Sequence, residues 1–106
     1  MSAMRVDFPL RFPPEALESV CRRYHVRRLS AFGSVLRADF SPGSDLDLLV
    51  EFHPGRTPGL AFFRLEGELS DIFGRRVDLN TRASLSPYFR DRVVVEEILR
   101  LEGQRE

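Results

Sequence analysis

The chain has 106 residues, with sixteen basic side chains against sixteen acidic ones and a formal net charge of zero. That length accommodates one domain around one modest core, and the neutral balance excludes a general electrostatic drive toward nucleic acid. Every basic residue is Arg, which excludes lysine-dependent chemistry and reads as genome bias. The 42% apolar and 30% charged content is that of a soluble globular protein. No apolar run reaches membrane-spanning length, and Met1 to Phe12 lacks the unbroken apolar core of a signal peptide. The single Cys21 precludes an internal disulfide, consistent with a reducing cytoplasm.

Taken in order, the elements are of an α/β (α+β) kind. Pro13-Pro14 can open a helix, and Leu17, Val20, Cys21 and Tyr24 then fall at helical spacing. A strand through about Val26 to Phe32 leads into Gly33-Ser34, and a short helix can follow through Val35 to Ala38. A second strand runs from Asp45 to near Phe52. His53 to Gly59 is a loop by its Pro and Gly content. A helix follows with Phe62, Leu65, Leu69 and Ile72 on one face, closed by Gly74. The Arg75-Arg76-Val77-Asp78-Leu79-Asn80 stretch is a third strand. Ser86-Pro87 reads as a helix start, with Val94, Ile98 and Leu101 as a last helical stripe. Gly103 to Glu106 is expected to fray.

The chemistry concentrates in Gly33-Ser34, ten residues, then Asp45-Leu46-Asp47. Glycine lets a backbone approach a phosphate closely, and a Ser hydroxyl with neighbouring N–H groups can donate to it. A helix starting there adds a positive dipole end, and Arg37 one turn on can add a fixed charge. In the strand that follows, Leu46, Leu48, Val50 and Phe52 alternate to one side. Asp45 and Asp47 therefore face the other side, about 7 Å apart by the strand rise. Such a pair can bracket a hard cation, with substrate phosphates and water completing its shell. Val77 and Leu79 would face the core, leaving Asp78 opposite. If its strand lies beside the Asp45-Asp47 strand, three carboxylates share one surface, as two-metal phosphoryl transfer requires.

Together these residues resemble the minimal nucleotidyltransferase (MNT) family of the polymerase β superfamily, whose motif is Gly-Ser, ten residues, Asp-x-Asp and a later Asp on a neighbouring strand. Gly33, Ser34, Asp45, Asp47 and Asp78 match it position by position. A four-position match arises by chance at about 10⁻⁵ per start, about one in a thousand over such a chain. The chain departs from the pattern at Arg37-Ala38-Asp39, where members often carry glycine in the middle. The resemblance covers about residues 15 to 101, the core of a single nucleotidyltransferase domain over 1–106. It implies a small mixed β-sheet flanked by helices. It also implies transfer of a nucleoside monophosphate, AMP from ATP, to an acceptor hydroxyl. Asp45, Asp47 and Asp78 would be the catalytic and metal-binding residues for two Mg²⁺ ions, with Gly33 and Ser34 on the terminal phosphates. So little lies outside the catalytic core that another chain is expected to complete the acceptor site. In this family the partner is a HEPN-type toxin, and the MNT chain is its antitoxin, in some members through adenylylation of a toxin tyrosine. A homo- or hetero-oligomer follows, without a nucleic-acid template or membrane.

The ordinary alternatives are specific. Glu51 reads as a surface charge, Asp39 as a cap or Arg partner, and His25 and His53 as structural. Phe62-Phe63 reads as core or interface and Arg75-Arg76 as a solvated pair. At the level of the whole chain, the alternative is a non-catalytic module that neutralises a toxin by occlusion; small-molecule nucleotidylation is a third reading.

Overall fold

The computed structural model describes residues 2–4, 10–36, 41, 43–85 and 95–101. Along the chain these form β1 (Ser2–Met4), α1 (Pro14–Arg23), β2 (Val26–Phe32), a 3-10 turn over Gly33–Leu36 and β3 (Leu46–Phe52). They continue with α2 (Ala61–Phe73), β4 (Val77–Asn80), a 3-10 turn over Arg82–Ser84 and β5 (Val95–Leu101). The strands make one sheet in the order β1-β5-β2-β3-β4. The β3–β4 pair is parallel and the others antiparallel, so the sheet is mixed.

Local chemistry explains the helices. Pro14 is pre-set for a first helical position, where its missing N–H costs nothing. Glu15 in the first turn of α1 and Arg22 and Arg23 in the last complement the helix dipole. Gly74 ends α2 in the left-handed conformation, φ 66°. Both helices bury one stripe against the same face of the sheet. Leu17, Val20 and Cys21 of α1 and Leu65, Leu69 and Phe73 of α2 meet Leu46, Leu48 and Val50 of β3 and Leu29 and Ala31 of β2. The opposite face carries a smaller cluster of Phe32, Leu49 and Leu85 with Val95. Beyond it Arg28, Glu51, Glu97 and Arg100 form an ion-pair array. Glu51 is therefore a paired surface charge, held by both Arg27 and Arg28.

The last element differs from the expectation. Ile98 and Leu101 belong to a strand, not a helical stripe; Val94 and the Ser86-Pro87 start lie outside the described residues. The cause is a bulge. Leu29 pairs with Leu99, but Ser30 pairs with Glu97, so Ile98 is the extra residue. Both Ile98 and Leu99 then reach the core, and the next inward residue is Leu101. A period of two broken by one insertion imitates the three-residue spacing of a helix. The same phase shift brings Glu97 and Arg100 onto one face, where Arg100 donates to the carboxylate at 2.8 Å. Among the described residues, no helix is long and apolar enough to cross a membrane.

Candidate active site

The Gly33 turn, Asp45, Asp47 and Asp78 gather at one end of the sheet. Antiparallel pairing sets Phe32 of β2 opposite Asp47 of β3, which delivers Gly33 to the side of the Asp47 carboxylate. Gly33 sits at φ 78°, where L side chains are strained. A Cβ placed there would be driven into Asp47 Oδ2 and would stand 3.3 Å from its Cγ. The turn is thus a glycine-only cradle with a carboxylate on its rim. Ser34 follows in the same 3-10 turn by its backbone. Its side chain, together with Arg37 and Asp39, lies outside the described residues.

Asp45 stands just before β3, exposed, in a segment held by its neighbours. The Leu46 N–H donates to the Arg76 carbonyl at 2.9 Å. Arg75 Nη1 donates to the carbonyls of Ser41 and Ser44, at 3.3 and 3.1 Å. Arg75 is therefore a brace for the approach to Asp45 rather than a solvated side chain. Arg76 fits the solvated expectation: it is 82% exposed, and its nearest contact with the Asp45 carboxylate is 3.9 Å. Such a pair contributes about 1 kcal/mol at most.

Asp78 is brought beside Asp47 by the parallel register, which pairs the two residues directly. Adjacent strands lie about 4.8 Å apart, so both carboxylates leave neighbouring backbones at one level. β4 is an edge strand, and its outward N–H groups would otherwise face solvent. Two side chains of α2, one turn apart, cover them. Ser70 Oγ accepts from Val77 N–H at 3.1 Å, and Glu66 Oε2 accepts from Leu79 N–H at 2.8 Å. Asp78 is held between these clamps. Glu66 and Ser70 have no place in the motif. The available signal was two polar residues at i, i+4 on a helix running into an edge strand.

The three carboxylates share this end of the sheet, but in their present rotamers no group of three His, Cys, Asp or Glu among the described residues is tight enough to hold a metal ion. The donor chemistry still suits Mg²⁺, which takes one or two carboxylates and fills the rest of its shell with substrate phosphates and water. The backbone joins the two histidines: the His53 N–H donates to the His25 carbonyl at 2.9 Å. Phe62 and Phe63 divide. Phe62 packs on the core near Phe52, whereas Phe63 is 66% exposed.

The nucleotidyltransferase domain family matches residues 14–100, the stretch that holds this mixed sheet. The chain belongs to that family, as a nucleotidyltransferase of the minimal type in the polymerase β superfamily. It is 38% identical over 76 residues to a Methanocaldococcus jannaschii protein named a protein adenylyltransferase, a match spanning 72% of this chain and 81% of that one. It is 41% identical over 64 residues to the protein adenylyltransferase MntA of Thermococcus cleftensis, spanning 59% and 63% of the two chains. A solved structure described as a minimal nucleotidyltransferase superposes with a TM-score of 0.62 at 43% identity, over 79% of this chain and 85% of that one. A toxin–antitoxin structure solved with AMP-PNP shares the fold, with a TM-score of 0.54 at 22% identity over 68% and 59% of the chains.

Proposed function

We propose that the Gly33 turn with Asp45, Asp47 and Asp78 transfers AMP from ATP to a hydroxyl of a partner protein, and that this chain is the antitoxin of an MNT/HEPN pair acting in the cytoplasm. The observation that carries the chemistry is the fit of the Gly33 turn against the Asp47 carboxylate. It leaves a side-chain-free cradle beside an acid, where a triphosphate and its counter-ion meet. The acceptor rests on relatives named protein adenylyltransferases and on the toxin–antitoxin neighbour with AMP-PNP.

In this reading, the backbone at Gly33 and Ser34, with Arg37, takes the terminal phosphates. Asp45, Asp47 and Asp78 are the residues that would hold Mg²⁺, whose charge offsets that of the phosphates. Asp78, at the edge of the sheet, accepts the proton of the incoming hydroxyl. The acceptor oxygen bonds to the α-phosphorus, the α–β phosphoanhydride bond breaks, and pyrophosphate leaves. The protein contributes chiefly position and charge. The domain is taken as 1–106, with its core at about 15–101.

The test is label transfer from α-phosphate-labelled ATP, with Mg²⁺ and host extract, beside the Asp45→Asn/Asp47→Asn double variant. A labelled band made only by the wild type is expected. Equal labelling by the double variant overturns the assignment. If neither labels but both neutralise the toxin, the occlusion reading stands instead; exposed Leu60 and Phe63 provide an apolar contact for it.

A further inference from the structure

The side of α2 that faces away from the core is unusually apolar for a surface. Leu65 and Leu69 point inward. On the opposite side, at spacings of three and four, stand Leu60, Phe63, Arg64, Gly67, Asp71 and Gly74, all exposed. The outer face of such a helix is ordinarily charged and polar. Here it holds both of the large apolar side chains that are exposed among the described residues, Leu60 at 87% and Phe63 at 66%.

Gly67 is a second, independent observation. It sits in the middle of α2, where glycine weakens a helix relative to alanine. A Cβ built on it meets nothing within 4 Å, so no neighbour inside the chain requires a glycine. Bare backbone at the centre of the face is what lets another helix approach closely. The charges supply a direction. Arg64 and Asp71 have opposite signs and lie seven residues apart, with Gly67 between them. Two copies of α2 laid antiparallel about a two-fold axis beside Gly67 set Arg64 of each against Asp71 of the other, the reciprocity an isologous contact requires. Asp71 makes no ion pair among the described residues. Arg64 interacts with Glu68 of its own chain, and a guanidinium with five donors can serve both carboxylates. The same arrangement lays Phe63, which leans toward the start of its helix, over the Gly74 end of the second helix.

We propose that this chain forms a two-fold homodimer by antiparallel packing of the outer faces of α2. Phe63 and Leu60 are the apolar anchors, and the Arg64–Asp71 pairs fix direction and register more than affinity. The helix has 13 residues, about 20 Å in length, so the interface is smaller than a standard one and the dimer is weak. Leu46, Leu48, Val77 and Leu79 point toward the helices, so Asp47 and Asp78 leave the other face of the sheet. Both carboxylate ends therefore stay open in the dimer, and the pairing does not depend on the transfer reading.

The test is sedimentation equilibrium of the full chain over a range of concentrations, without nucleotide. Reversible monomer–dimer association is expected. Phe63→Ser and Gly67→Gln should each weaken it by about tenfold or more. Gly67→Gln should also raise the melting temperature of the dilute chain, which shows that the fold is intact. Arg64→Asp alone and Asp71→Arg alone should each lose the dimer, because like charges then face one another. An equimolar mixture of these two variants should form a heterodimer, and the double variant Arg64→Asp/Asp71→Arg should regain the homodimer. A chain that stays monomeric at every concentration overturns the proposal and leaves this face to a different protein. A dimer unchanged by Phe63→Ser and Gly67→Gln places the contact elsewhere and overturns it as well. Loss of the dimer in both charge variants, with no recovery in the mixture or the double variant, overturns the antiparallel pairing.

Discussion

The carboxylate of Asp47 lies against the α-carbon of Gly33, across the β2–β3 pair, in the space that a side chain at 33 would need. Gly33→Ala therefore meets two obstacles. Its backbone must hold φ 78°, which costs about 1–2 kcal/mol in a residue with a β-carbon. The new methyl group must also displace Asp47, an overpacking cost of about 1–3 kcal/mol. The expected outcome is a lower melting temperature, and transfer activity reduced by about 100-fold or more through the misplaced carboxylate. Thermal denaturation and a transfer assay on one preparation would check both. Full activity in Gly33→Ala would show that the cradle is not used.

Glu66 should act as a positioning residue for Asp78. Glu66→Ala leaves the Leu79 N–H without its acceptor and should cost about 1.5–3 kcal/mol, the range for hydrogen bonds to charged groups. Glu66→Gln keeps an acceptor oxygen and should recover most of that loss. If Asp78 serves the reaction, kcat should fall in the alanine variant with KM for ATP little changed, and the glutamine variant should rescue it. A kcat that stays constant while stability falls would leave Glu66 a purely structural clamp.

Arg75→Ala removes both hydrogen bonds to the carbonyls of Ser41 and Ser44. The segment leading to Asp45 should loosen, raising KM for the nucleotide several-fold. Hydrogen exchange should show faster opening around Ser44 to Leu46. Arg76→Ala, at a largely exposed position, should change stability by less than about 0.5 kcal/mol and serves as the matched control.

Cys21 is buried in α1, and burial, with a smaller contribution from Glu18, pushes its thiol up to about 12. The reactive thiolate is then suppressed at neutral pH. Iodoacetamide should leave the native protein unmodified and label it fully in denaturant. Rapid labelling of the native protein would contradict the packing of α1 on the sheet.

Glu68 accepts from the Tyr24 hydroxyl and from Arg23, and these two bonds lower its pKa below the ordinary 4.5. A depressed carboxylate means that the unfolded chain binds more protons across the interval between the two values. Stability therefore rises with pH through that interval. The contribution of Glu68 is complete above about pH 4.5 and disappears as pH falls through the lower native value. The melting-temperature gap between wild type and Glu68→Gln should thus be present at pH 6 and close on acidification. A gap that does not change with pH would rule out an ionic origin.

Much of this molecule is legible in residue order, because its signals are local. The alternation of Leu46, Leu48 and Val50 against Asp45 and Asp47 specifies a strand with one acidic face. The stripes of α1 and α2, the proline that opens one and the glycine that closes the other need only the helical period. Gly33-Ser34 and the two aspartates after a ten-residue spacing identify the chemistry in the same local way. What residue order does not reveal depends on partners distant in sequence. β5 reads as a helix because its bulge, created by pairing with β2, disturbs the period of two. The direct register of Asp78 with Asp47 required the parallel β3–β4 pair, and the clamps from Glu66 and Ser70 required α2 to pack along the sheet edge. Periodicity encodes which face of an element is buried, but the neighbour each face meets is set by long-range pairing, and here that pairing assembles the carboxylate end.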